Sequence, residues 1–138
     1  MTLEKLEWSD KFSVDIVSID EQHKELIALS QELLNVLSIA DVPLSEKQTA
    51  FKALVDHALD HFAYEERVMR NVGYPGLDSH IQEHNELRRE IDTIANDVLE
   101  GKGVEDWKGL VSMVQVWVLR HIMHSDIGIR DFIQREDD

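Results

Sequence analysis

The sequence predicts an all-α protein, an up-down-up-down antiparallel four-helix bundle with an N-terminal arm and a short C-terminal helix. Three observations predict it. Four long segments place apolar residues at steps of three and four, the spacing of one helix face. Only two prolines and six glycines occur, and most fall between those segments as helix punctuation. The connections are short, which sets consecutive helices antiparallel. The 138 residues fit one domain, large enough to bury a core without staples.

Residues 1–17 show little helical period. Ser13-Val14-Asp15-Ile16-Val17 is mildly extended, so this arm is expected to lie across the bundle. The first helix is predicted over about 18–39, opened by capping-box spacing between Ser18 and Glu21. Its stripe is Ile19, His23, Leu26, Ser30, Leu33 and Leu37, and Asp41-Val42-Pro43 ends it. Ser45 and Gln48 offer a second capping box for a helix over about 45–72. Its stripe runs Phe51, Leu54, Ala58, His61, Phe62, Glu65, Val68, Met69. Gly73-Tyr74-Pro75-Gly76 is a turn. The third helix, about 76–100, carries Leu77, His80, Ile81, His84, Leu87, Ile91, Ile94 and Val98 on one face. Gly101-Lys102-Gly103 closes it. The fourth, about 104–123, carries Trp107, Leu110, Val111, Val114, Trp117, Val118, His121 and Ile122. A short helix is predicted over about 126–134.

Composition removes several function classes. There is no cysteine, so disulfides, thiolate sites and cysteine nucleophiles are excluded. A net charge of −14 repels phosphate backbones and anionic lipid, which argues against nucleic-acid and membrane partners. The same charge weakly favours a monomer. No apolar run approaches the roughly 20 residues of a membrane span. The first residues lack the apolar stretch of a signal peptide, so a cytoplasmic location is expected.

The apolar stripes contain residues that do not belong in a core. His23 is on the first, His61 and Glu65 on the second, His80 and His84 on the third, and His121 on the fourth. Asp126 follows five residues later. One buried unpaired carboxylate or imidazole costs several kcal/mol. Seven together would exceed the whole stability of a small domain, about 5–15 kcal/mol. A metal centre compensates, because it uses the lone pairs and carries the opposite charge. His61 with Glu65, and His80 with His84, are i, i+4 pairs on one face. Asp126 is about 140° round an ideal helix from His121. It joins the site only if the helix ends, loosens or bulges there, and Gly128 is nearby.

Each piece alone has a bland explanation. A single histidine is usually a satisfied core or boundary residue, and an i, i+4 pair is usually solvated. The joint placement at similar bundle depth points to metal. Five histidines and two carboxylates are too many for one ion. Two six-coordinate ions offer about twelve positions. Two bridging carboxylates, one bridging oxygen and five imidazoles take all but one. The odd number of histidines predicts an asymmetric pair with one vacancy for a small ligand. His57 and His124 are left as residues that hydrogen-bond a ligand or a water, or as ordinary polar residues. Leu26, Phe62, Trp117, Val118 and Ile122 lie near ligands in sequence and by themselves read as core.

The pattern resembles the hemerythrins over nearly the whole chain. It consists of Trp8 in the arm, Ile19-Asp20-Glu21-Gln22-His23, His61-Phe62-x-x-Glu65-Glu66, His80-x-x-x-His84, and His121-Ile122-x-x-x-Asp126. The chain looks like a single-domain bacterial hemerythrin. The resemblance implies two iron ions bridged by Glu65, Asp126 and an oxo or hydroxo group. His80, His84 and His121 would hold one iron, and His23 and His61 the other. Leu26, Phe62, Trp117, Val118 and Ile122 would form the apolar wall of the ligand pocket. It further implies reversible dioxygen binding at the His23/His61 iron, for carriage, storage or delivery. Three departures stand out: Ile129 where many relatives have tyrosine, Asp15 where glycine is common, and His124 as an extra titratable group.

The function expected is therefore an oxygen-binding protein rather than an enzyme. An oxygen-consuming protein partner would suit a delivery role. The alternatives are a di-iron enzyme handling peroxide or nitric oxide, with His124 or His57 as acid/base, and a sensor acting through a partner. An iron store of the ferritin type would need Glu-x-x-His pairs on facing helices, and none is present.

Overall fold

The computed structural model describes residues 8–39, 41–99, 107–121 and 126–136. Five α-helices follow a 3₁₀ turn at Asp10–Phe12: α1 Val17–Ser38, α2 Leu44–Asn71, α3 Leu77–Leu99, α4 Trp107–Arg120 and α5 Ile127–Glu136. Among the described residues there is no strand. Close backbone packing joins α1 to α2, α2 to α3 and α1 to α4. The α3–α4 seam is the most open of the four among the described residues. None of these helices is long and apolar enough to cross a membrane.

The stripes read from the sequence face inward. Leu26, Ile27 and Leu33 of α1 meet Phe51, Leu54, Val55 and Phe62 of α2, with Ile91, Val98 and Val114 beyond, and Ile19 is also buried. Each such side chain stabilises the fold by about 1.5–3 kcal/mol when fully buried.

The helix starts differ from expectation. α1 begins at Val17 with Ile16 as N-cap and no side-chain cap. The Ser18 hydroxyl instead accepts a hydrogen bond from Tyr64 of α2 at 2.7 Å. α2 begins at Leu44 behind Pro43, also uncapped by a side chain. Gln48 donates to the Val98 carbonyl near the end of α3 at 2.8 Å, so it serves that terminus rather than its own.

From Trp8 onward the arm contributes to the core. Phe12 and Val14 are buried, and Trp8 packs edge-on against Phe12 at 5.8 Å. Asp20 anchors this segment by accepting from the Val14 amide at 2.8 Å and the Ser13 hydroxyl at 2.6 Å. Asp15 has φ 61°, a left-handed conformation that aspartate tolerates better than most residues. That conformation accounts for glycine's suitability at this position. The Asp15 carboxylate accepts from Gln134 of α5 at 2.8 Å.

α2 ends in a Schellman motif. Gly73 has φ 69°, its amide donates to the Arg70 carbonyl at 3.2 Å, and the Tyr74 amide donates to the Met69 carbonyl at 2.9 Å. This turn aims the Tyr74 ring at α5, where it meets Phe132 edge-on at 5.5 Å.

Candidate metal centre

Helices α1, α2 and α3, with His121 directly after α4 and Asp126 directly before α5, bring seven polar side chains to one level of the bundle. His23, His61, Glu65, His80, His84, His121 and Asp126 are all between 0% and 5% exposed. They form two overlapping groups. In one, ligand atoms of His23, His61, Glu65, His121 and Asp126 all lie within 4.8 Å of one another. In the other, Glu65, His80, His84, His121 and Asp126 do the same. Glu65 and Asp126 belong to both. His121 also belongs to both, and its ring is nearest that of His84, at 4.8 Å between centroids.

Asp126 stands in the cluster with His121 although the two are five residues apart. His121 and Asp126 both have π-helical backbone. A π turn bonds residue i to i+5, which brings residues five apart onto one face.

Two imidazoles are oriented by partners outside the cluster. His84 Nδ1 donates to Glu66 at 2.9 Å, and Arg88 binds the same carboxylate. A carboxylate only accepts, so the Nε2 of neutral His84 presents a lone pair. His61 Nδ1 pairs with the Gln22 amide oxygen at 2.7 Å, which turns the Nε2 lone pair inward in the same way. His57 Nε2 in turn bonds the Gln22 carbonyl at 3.1 Å. His57 thus supports the residue that orients His61 and does not touch the cluster. His124 lies outside the described residues.

The contacts inside the cluster fit a cation. His84 Nε2 lies 3.2 Å from Glu65 Oε1 yet has no hydrogen-bond partner. Both are lone-pair donors. His121 Nε2 is 3.0 Å from Asp126 Oδ2, and His23 Nε2 is 2.6 Å from the same oxygen. Neither Asp126 oxygen has a well-aligned hydrogen bond. Ring nitrogens and carboxylate oxygens that converge at this depth, several of them without a well-aligned hydrogen bond, form a donor set suited to a metal ion. The donor set is imidazole and carboxylate only, which suits iron among other first-row ions.

Electrostatics describe the metal-free cage. Burial alone would lower the pKa of His23, but hydrogen bonding and charge from Asp126 and Glu65 outweigh it and raise it to about 9. The same balance lifts His80 to about 9 and His121 well above the usual imidazole range. Burial would raise Glu65 and Asp126; the surrounding imidazoliums, His121 foremost, hold both below the usual carboxylate range. Protons occupy the place of metal charge.

A dry cavity of about 40 Å³ adjoins the cluster. Leu26, Phe62 and Trp117, expected in the ligand pocket, line it, and His121 closes one end. The cavity continues along the bundle past Phe51, Leu54, Val55, Ile91 and Val114, residues that read as plain core. Ile122 and the Val118 side chain lie outside the described ones. Sequence reasoning also assigned no role to Gln22, Glu66 or Arg88. Their only signal was adjacency to ligands, since none stands on an apolar stripe.

A family model described as the hemerythrin HHE cation-binding domain matches residues 14–128. A bacteriohemerythrin of Pseudomonas paraeruginosa is 32% identical over 132 residues, covering 94% of this chain and 82% of that protein. A myohemerythrin of Theromyzon tessulatum is 26% identical over 123 residues, covering 89% of each. A crystal structure of wild-type hemerythrin superposes with a TM-score of 0.78 at 24% identity, covering 87% of this chain and 91% of that one. A hemerythrin variant reaches 0.80 over 92% and 94%, which supports the same four-helix fold. With its matched span containing six of the seven clustered groups between His23 and His121, and Asp126 as well, the chain belongs to the hemerythrin HHE cation-binding family.

Proposed function

We propose that this protein binds dioxygen reversibly at a non-haem di-iron centre and serves to carry, store or deliver it. His23 and His61 would hold one iron, and His80, His84 and His121 the other. Glu65 and Asp126 would bridge them with a solvent-derived oxygen. The observation that carries this reading is the dry cavity ending on the buried cluster, lined by Leu26, Phe62 and Trp117. When bound, two ferrous ions supply the two electrons that reversible dioxygen binding uses.

The chain's own residues supply the rest. Gln22 and Glu66 engage Nδ1 of His61 and of His84, which leaves Nε2 of each ring facing the cluster. The apolar wall admits a small neutral gas and excludes water, which would otherwise promote loss of reduced oxygen. The π winding sets Asp126 opposite Glu65.

The test is anaerobic reduction of the iron-loaded protein followed by admission of oxygen. A charge-transfer band that appears with oxygen and disappears under vacuum supports the proposal. A mononuclear product, or a band that bleaches irreversibly in one cycle, overturns it.

A further inference from the structure

Two residues of α2 and two of α3 interlock beside the cluster. Phe62 and Glu66 stand i, i+4 on α2, and His84 and Arg88 stand i, i+4 on α3, so each pair shares a helix face. Their contacts close a ring. His84 Nδ1 donates to Glu66 Oε2 at 2.9 Å, and Arg88 Nη2 donates to the same oxygen. The Arg88 guanidinium lies over the Phe62 ring, 5.6 Å from its centroid. Phe62 in turn stacks on His84, with 4.5 Å between centroids and 25° between planes. Arg88 Nη1 donates to Asn85, the residue after His84, at 2.9 Å.

An exposed Arg–Glu pair contributes little to stability. This pair leads inward: the Arg88 side chain is 29% exposed, that of Glu66 15% and that of His84 0%. Through Glu66 the guanidinium secures the edge of the His84 ring, and through Phe62 it backs the ring's face. Without the cation, a partly exposed carboxylate is free to turn to water, and His84 Nδ1 loses its acceptor. Lysine carries the same charge but lacks the planar fork that serves Glu66, Asn85 and Phe62 together. Phe62 also lines the apolar cavity, so one guanidinium braces a cluster imidazole and a cavity wall at once.

We propose that Arg88 is a positioning residue of the metal centre, holding His84 by edge and face so that Nε2 stays aimed at the ion. The inference rests on the dinuclear reading for the number of ions, and the experiment separates the two.

Zn2+ serves as the probe, because it takes nitrogen and oxygen ligands and has no redox chemistry. The Zn2+-loaded parent is compared with Arg88→Met, Arg88→Lys and Arg89→Met. Arg88→Met keeps an unbranched stem but no donor, and Arg89→Met removes the same charge one residue along. Chelator competition reads the affinity for each Zn2+. Proton–nitrogen NMR reads how fast the His84 Nδ1 proton, identified by its proximity to the Phe62 ring, exchanges with water. Arg88→Met is expected to weaken the Zn2+ of His80, His84 and His121 about tenfold and to leave the other within about twofold. The same variant should hasten exchange of the His84 proton about tenfold or more. Arg88→Lys should recover only part of both losses, and Arg89→Met should stay within about twofold of the parent in each. Unchanged exchange in Arg88→Met, or equal changes in Arg89→Met, overturns the proposal. Complete recovery in Arg88→Lys overturns it too, since charge alone would then suffice. A parent that binds a single Zn2+ refutes the dinuclear reading instead, and the His84 proton still reads the role of Arg88.

Discussion

His84 lies between two carboxylates: its Nδ1 donates to Glu66 at 2.9 Å, while its Nε2 faces Glu65 at 3.2 Å without a proton between them. One contact orients the ring and the other calls for a cation. Glu66→Ala should lower metal affinity about 100-fold, and Glu66→Gln, which keeps an acceptor, about tenfold. Competition against a chromophoric chelator measures both. Equal affinity in all three proteins would show that His84 needs no outer partner.

In the proposed assignment, His61→Ala removes a ligand of one ion only. The variant should retain one metal per chain and lose the second, and the bundle should lose stability to unfolding in the presence of metal. Metal analysis of the dialysed protein checks the first outcome. Two irons per variant chain would contradict the assignment.

Leu26→Ala enlarges the dry cavity at its inner end. The change should cost about 2–5 kcal/mol and hasten autoxidation of the oxygenated protein by admitting water. The decay of the charge-transfer band gives the rate. A lifetime equal to that of the parent would place the gas elsewhere.

The metal-free protein should weaken as pH rises. His23 and His80 titrate near 9 in the fold, against an ordinary value of 6.5. A raised pKa gives stability that is fully present below pH 6.5 and is lost as pH rises through about 9. Glu65 and Asp126 act oppositely, and their contribution disappears only in strong acid. Urea unfolding with chelator present should therefore show lower stability at about pH 9.5 than at about pH 6, by a few kcal/mol on the order expected from such shifts. Metal-loaded protein should not show this loss, since its imidazoles carry metal instead of protons. Equal metal-free stability at both values would mean that the cage is not held by imidazolium charge.

Gly128→Ala would place a methyl group 2.7 Å from the Tyr74 hydroxyl. Overpacking of this kind costs about 1–3 kcal/mol. Tyr74→Phe removes the obstructing oxygen, so the double variant should recover most of that loss. A double-mutant cycle measured by thermal unfolding reads the coupling directly. Additive effects would show that the two residues do not meet.

Much of this was legible in the chain. His23, His61, Glu65, His80, His84 and His121 interrupt otherwise apolar stripes at one depth, and helical periodicity alone brings them to the centre. Asp126 was legible only as a conflict, because an ideal helix turns it away; the π winding at His121 and Asp126 resolves the conflict. The capping boxes misled for a physical reason. Ser18 and Gln48 found stronger calls on their hydrogen bonds from neighbouring helices, at Tyr64 and Val98. Gln22, Glu66 and Arg88 depend on the register between helices, which no single-helix pattern contains. Ile129 read as a departure, and its complete burial in α5 shows an aliphatic side chain filling that place.

The apolar cavity beside the cluster has a consequence for how such a protein can be adjusted by mutation. Under the proposed function, substitutions in its hydrocarbon lining would alter how long a gas resides, and substitutions at Gln22 or Glu66, which hold the outer edges of two imidazoles, would alter how firmly the ions are kept. Because the two sets of residues do not overlap, evolution or an engineer can tune metal retention and ligand lifetime as separate dials on one small scaffold.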